Sequence, residues 1–100
     1  MHARIGTFEV APRAQPAVVA FFRDRVVPAF SKHDGFLGYE AYIDRELGRF
    51  IGISLWTTRS AVEASGETAR LALEEAAALG AKTVGAPQIL ELAFDTRPQP

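Results

Sequence analysis

Phe36-Leu37-Gly38-Tyr39-Glu40-Ala41-Tyr42-Ile43-Asp44, then Arg45-Glu46-Leu47-Gly48, then Arg49-Phe50-Ile51-Gly52-Ile53-Ser54-Leu55-Trp56 is the stretch that decides the fold. Its two outer runs are rich in β-branched and aromatic residues, and the short charged segment between them ends in glycine, so they read as two strands joined by a hairpin. Upstream, Ala3 to Val10 carries Ile5, Phe8 and Val10 around Thr7 and reads as a first strand that Ala11-Pro12 stops. Pro16 suits a first helical turn, and Val19, Phe22, Val26 and Phe30 follow at spacings of three and four, an amphipathic helix. Pro28 predicts a kink or break in its last turn, and Gly35 closes the segment after His33-Asp34.

Downstream of the hairpin, Ser60-Ala61-Val62-Glu63 has the form of a capping box and predicts a second helix, interrupted at Ser65-Gly66 and resumed from Glu67 to Leu79. Gly80 ends it, and Gly85-Ala86-Pro87 leads into a last strand from Gln88 to Asp95. The order β-α-β-β-α-β predicts an α+β, ferredoxin-like domain over residues 1–95, a four-stranded antiparallel sheet with two helices on one face, followed by a polar tail at 96–100.

Composition bounds the function. A chain of 100 residues buries only about 60–65% of the surface its unfolded form exposes, so the core is modest. Eleven basic against twelve acidic residues, with no Lys/Arg-rich segment, argue against nucleic acid as a partner. The absence of cysteine removes disulfides, thiolate nucleophiles and cysteine-ligated metals. With two histidines and no acids clustered at ligand spacing, no tight metal site is expected. No apolar run approaches the ~18 residues of a membrane span, and the first residues lack signal-peptide order, so the expected location is the cytoplasm.

Alternation sorts strand residues onto two faces. Tyr39, Ala41, Ile43, Ile51, Ile53, Leu55, Leu90, Leu92 and Phe94 form a set that is apolar or aromatic throughout, assigned to the helices. Gly38, Glu40, Tyr42, Phe50, Gly52, Ser54, Trp56, Ile89, Glu91 and Ala93, with Gly6 and Phe8, form the opposite set. That second set is too apolar for a solvated face, which predicts a second copy of the chain as its cover, and the same face is where a ligand cleft is expected.

Asp34-Gly35-Phe36-Leu37-Gly38-Tyr39-Glu40 and Ile53-Ser54-Leu55-Trp56-Thr57-Thr58-Arg59-Ser60-Ala61-Val62 resemble the dimeric α/β-barrel superfamily, and within it the antibiotic biosynthesis monooxygenase group. The likeness runs from about Ala3 to Asp95. It implies a homodimeric barrel and cofactor-free oxygenation of aromatic substrates. In that group an asparagine four residues before the tryptophan and a tyrosine six after it hold the substrate; here Trp56 is kept while Gly52 and Val62 stand at the other two places. Haem-degrading relatives carry a tryptophan and a histidine on the second helix, where this chain has Ser65 and Glu75 near those places.

Six residues are singled out. Glu40 is the candidate base and Trp56 the candidate platform for a flat substrate, with an N–H to donate; Tyr42, Ser54, Phe50 and Gly52 line the expected cleft. The two catalytic candidates have plainer alternatives: Trp56 closes the core, and Glu40, like Glu91, makes a dimer salt bridge or sits at the rim, with Arg4 or Arg49 as partner. His33 reads as a helix-end cation and His2 as a mobile terminus. Two functions stand side by side: a monooxygenase-like homodimer acting without a cofactor on a small aromatic or enolic substrate, and a non-catalytic dimer that is structural or binds a small apolar ligand. A cavity of ~300 Å³ or more favours the first, a filled interior the second.

Overall fold

The computed structural model describes residues 1–97, so the last three residues of the expected tail, 98–100, lie outside the described residues. The chain runs as β1 (His2–Glu9), a 3₁₀ turn (Pro12–Ala14), α1 (Gln15–Phe21), a π turn (Phe22–Val26), α2 (Val27–Ser31), β2 (Phe36–Asp44), β3 (Arg49–Trp56), α3 (Arg59–Ala64), α4 (Gly66–Ala78), β4 (Lys82–Thr83) and β5 (Gln88–Glu91). The sheet is antiparallel, in the order β2-β3-β1-β4, with β5 on the same edge of β1 as β4. This is the ferredoxin-like arrangement, with two differences from expectation. The last strand is two short pieces, one at each end of β1, separated by Gly85 at φ 73 and Pro87. It leaves the sheet after Glu91, with Leu92 and Phe94 exposed.

The helices show why the chain folds locally as it does. Pro28 does not break the first helix. The Val27 N–H donates to the Phe22 oxygen five residues back, and this widened turn leads into Pro28 near the start of α2, where a missing N–H and a bulky ring are tolerated. The second helix starts earlier than the Ser60–Glu63 box: Thr58 is its cap, its Oγ1 accepting from the Ala61 N–H at 3.1 Å, and Glu63 instead pairs with Arg59 at 3.1 Å. At the corner between α3 and α4, Ser65 is fully buried and its hydroxyl donates to the Val62 oxygen at 2.8 Å.

The faces of the sheet are the main correction. Asp44 pairs with Arg49 across the four-residue turn, so odd-numbered residues of β2 lie opposite even-numbered residues of β3. Residues paired directly across an antiparallel ladder share a face. Phe50, Gly52, Ser54 and Trp56 are buried in strict alternation with half-exposed Ile51, Ile53 and Leu55. The helix side therefore carries Phe8, Phe50 and Trp56, which join Val18, Phe22, Val26, Phe30 and Val62 in the core. The open side carries Ile5, Ile51, Ile53, Leu55 and Leu90, with Glu40 and Tyr42 beside them. A bulge at Leu37 lets both Phe36 and Tyr39 turn toward the helices.

Asp44 holds the hairpin, its Oδ1 accepting from the N–H groups of Glu46 and Leu47 at 3.1 and 2.9 Å, and Gly48 closes it at φ 68. Phe50→Ala is expected to lower the unfolding free energy by about 3–5 kcal/mol in urea titration. Leu47→Ala, on a side chain 73% exposed at the turn, is expected to change it by no more than about 0.5 kcal/mol.

Candidate functional site

On the helix side the sheet presents rows that cross its strands. Phe8, Phe50 and Ile43 form an aromatic and aliphatic wall. Next to it lie Gly6, Gly52 and Ala41, a trough of small residues that the Phe8 ring edge touches at Gly6 and the Tyr39 ring covers at Gly52. The following row is Arg4, Ser54 and Tyr39, the three polar side chains that reach under the helices, and His2 and Trp56 with Phe36 close the far side. Phe22, Val26 and Phe30 from the first helix and Ala69, Ala72 and Leu73 from α4 form the roof. A cavity of about 40 Å³ remains between them.

Tyr39 nearly fills the space that Gly52 leaves. Its ring stacks against Phe22 and Phe30, with centroids 6.3 and 6.4 Å away and planes 27° and 29° apart. A Cβ at residue 52 would collide with the Tyr39 hydroxyl oxygen and lie 3.1 Å from its Cζ. Burial pushes the Tyr39 phenol well above the usual tyrosine range, so it stays a neutral donor. Sequence alternation had placed Tyr39 in a plain core; the parity of the hairpin turn was the signal that puts it beside Ser54.

Arg4 was read only as a rim partner for Glu40, and the structure places it inside. Its Nη1 donates to Ser65 Oγ at 3.0 Å and its Nη2 to the Val62 oxygen at 2.5 Å, while its guanidinium carbon sits 5.7 Å from the centre of the Phe30 ring. Among the described residues no carboxylate forms an ion pair with it. Partial burial lowers its pKa by desolvation.

The six expected site residues divide between the two faces. Trp56, Ser54, Gly52 and Phe50 are on the helix side, while Glu40 and Tyr42 point away from them on the open side. Trp56 is fully enclosed by edge contacts with Phe30, Phe36 and His33, and its Nε1–H is spent on Ser54 Oγ at 2.9 Å. Glu40 pairs with Arg97, not with Arg4 or Arg49, and Tyr42 is 56% exposed. His2 belongs to β1 rather than to a loose end, with its Nδ1 buried and unpartnered among the described residues. His33 Nε2 lies 2.8 Å from Thr68 Oγ1, a link between the first helix and α4. Among the described residues no three His, Asp or Glu side chains gather as a metal ion would require, and no helix is long and apolar enough to cross a membrane.

The family model for antibiotic biosynthesis monooxygenases matches residues 1–72. Two uncharacterized proteins of Mycobacterium tuberculosis (strain ATCC 25618 / H37Rv), Rv2558 and Rv2557, are 39% and 36% identical to the chain over 67 residues, which is 67% of it. The chain spans 28% and 30% of their lengths. Among solved structures, SnoaB, a cofactor-independent oxygenase from Streptomyces nogalater, superposes with a TM-score of 0.66 at 16% identity, covering 97% of each chain. A monooxygenase from ActVA-Orf6 of Streptomyces coelicolor, in complex with nanaomycin D, gives 0.70 at 19% identity over 99% of this chain and 91% of that one. Rv0793 of Mycobacterium tuberculosis gives 0.70 at 19% identity, over 96% and 98%. At these identities the superpositions establish the shared fold.

Two measurements check the slot. Gly52→Ala is expected to cost about 1–3 kcal/mol of stability through overpacking against Tyr39. Adding Tyr39→Phe, which removes the colliding oxygen, should recover part of that loss in a double-mutant cycle. The raised phenol pKa has a definite sign: an unfolded tyrosine loses its proton near pH 10.0 while Tyr39 in the folded chain keeps it. This contribution is therefore complete below that point and declines as pH rises past it, by up to about 1.4 kcal/mol per pH unit. Denaturant titrations from about pH 9 to about pH 11 should show a steeper decline for the wild type than for Tyr39→Phe.

Proposed function

Because the chain belongs to the antibiotic biosynthesis monooxygenase family, we propose that it works as a cofactor-independent, monooxygenase-like homodimer on a small aromatic or enolic substrate, with the substrate held between the sheet and the helices of each subunit. The observation that carries this reading is the glycine trough of Gly6 and Gly52 lying beside the donor row of Arg4, Ser54 and Tyr39 under an aromatic roof. Bare backbone admits a flat ring at van der Waals distance, and the adjacent donors orient its oxygen. The printed descriptions of SnoaB as a cofactor-independent oxygenase and of the ActVA-Orf6 product as a monooxygenase support the reaction class.

In this reading the substrate supplies the electrons that reduce dioxygen. A ring CH₂ next to an enolisable carbonyl becomes a second carbonyl, taking up one oxygen atom while the other leaves as water with the two displaced hydrogens. The protein contributes orientation and electrostatics. Trp56 fixes Ser54 through its indole N–H, Ser54 turns its own proton to the ligand, Phe50 walls the slot, and Tyr39 swings out of the space over Gly52 as the ring enters. Glu40 and Tyr42 belong to the open face, which the second copy covers; a cytoplasmic location goes with this reading.

That open face supports the dimer. Ile5, Ile51, Ile53 and Leu55 are half-exposed in one contiguous apolar surface, with Leu90 and Tyr42 more exposed at its margin. Ile53→Glu is expected to give a monomer with unchanged far-UV dichroism, read by native mass spectrometry against a dimeric wild type. A wild-type monomer at micromolar concentration overturns the dimer.

The smallness of the cavity, about 40 Å³, favours the second reading, a structural or ligand-binding dimer whose interior is filled by Tyr39. Oxygen uptake over a panel of anthrones and quinols decides between them. Turnover that falls about tenfold or more in Trp56→Phe, which releases the Ser54 hydroxyl, supports the oxygenase. Ligand-induced stabilisation with no oxygen consumed supports the binding protein. Glu40→Gln tests the placement of the chemistry, because a loss as large as that of Trp56→Phe would move the reaction to the open face.

A further inference from the structure

The cavity between the sheet and the helices offers hydrogen-bond donors and holds no negative charge. Arg4 spends two of its N–H groups, on Ser65 Oγ and the Val62 oxygen, and a guanidinium has five. Both partners are neutral, so they anchor the group without neutralising it. Ser54 Oγ accepts the indole N–H of Trp56, which leaves its own proton to give, and the Tyr39 phenol remains a donor. None of the residues lining the cavity is an Asp, a Glu or a His. Arg4 is half-buried, and withdrawing even part of a cation from water without an opposite charge has a cost that the Phe30 ring face offsets only in part. The register makes Arg4, Ser54 and Tyr39 paired neighbours on three adjacent strands, one row along from Gly6 and Gly52, and the Tyr39 hydroxyl reaches over Gly52 itself.

We propose that Arg4 is the counter-ion of this pocket and makes it select aromatic ligands as their oxyanions, a phenolate or enolate oxygen seated at the guanidinium and the ring lying over the glycine trough. The inference deepens the reading of this cavity as the ligand site and rests on it. Its chemical consequence is specific. The ligand O–H bond breaks with its electron pair staying on oxygen, and the proton goes to bulk water as the anion binds, so the pocket needs no carboxylate or imidazole base.

The test uses 4-nitrophenol, whose phenolate absorbs visible light and whose neutral form does not, and 4-nitroanisole, the same ring with its oxygen methylated, both in the absence of dioxygen. At a pH where the free phenol is half ionised, adding the wild-type protein is expected to raise the visible absorbance, with the bound phenol ionising about one pH unit lower than the free one. The anisole should bind at least about tenfold more weakly. Arg4→Gln should abolish the absorbance rise and bring the two affinities together, and Arg4→Lys should restore part of the selectivity; thermal melts report whether each variant is folded. The wild-type comparison stands alone even if Arg4→Gln does not fold. Equal affinities for the two ligands, or a fall in absorbance on binding, would overturn the role of Arg4 while leaving the cavity a ligand site. Failure of both ligands to bind would overturn the site as well. Retained phenolate selectivity without oxygen uptake on any anthrone or quinol would remove the oxygenase reading and keep this one.

Discussion

The pairing of Asp44 with Arg49 across the turn is the constraint on which the rest of the structure depends. Once those two residues face each other, the ladder places Phe50 opposite Ile43, Gly52 opposite Ala41 and Ser54 opposite Tyr39, and β1 follows with Phe8, Gly6 and Arg4. A slip of one residue would turn every one of these side chains to the other side of the sheet. The Asp44 carboxylate, taking two backbone N–H groups of the turn, is thus a small local interaction with a long reach. It determines that the helices cover the glycines and Trp56, and that the isoleucines are left for another surface.

The covered side shows how a short chain accommodates a polar interior. Its aromatic rings, Phe8, Phe22, Phe30, Phe50 and Trp56, provide most of the buried bulk. Between them Gly52 creates room that the Tyr39 phenol occupies, and the Phe8 ring edge lies against Gly6. Buried polar groups are tolerated where each has a partner: Gln15 donates to the Val10 oxygen, Ser65 to the Val62 oxygen, and Trp56 to Ser54. Arg4 is fixed by the same logic, since the carbonyl at the end of α3 and the hydroxyl at the corner hold its guanidinium in one orientation. Stability and a pre-aimed positive charge come from the same contacts.

Much of this was legible from residues alone. Period-two alternation in β2 and β3, period-3.6 spacing from Val19 to Phe30, and the glycine and proline punctuation yielded the element order and the ferredoxin-like architecture. Tyr39, Ala41 and Ile43 of β2 were assigned to the helix side as found, but β1, β3 and the last strand were put on the wrong face because each strand was sorted by its own alternation, and composition made the purely apolar set look like the core. The turn of four residues already contained the correction, since an even loop pairs an even-numbered position with an odd one. The bulge at Leu37 and the division of the last strand had no comparable signal. Arg4 is the site residue that sequence reasoning passed over: a lone arginine in a strand reads as a solvated charge until the register shows what lies across from it. The separation of Glu40 from Trp56 has the same origin.

The wide turn ahead of Pro28 has a geometric effect of its own. Phe22, Val26 and Phe30 stand four residues apart, and each step of four overshoots a full α-helical revolution by about 40°. Two such steps would carry Phe30 about 80° around the axis from Phe22, away from the cavity that both line. An underwound turn between them takes part of that rotation back. The π turn thus acts as a phase corrector that keeps three side chains aimed at one spot, and Pro28 at the start of α2, with no N–H to return to the oxygen four residues back, holds the correction in place.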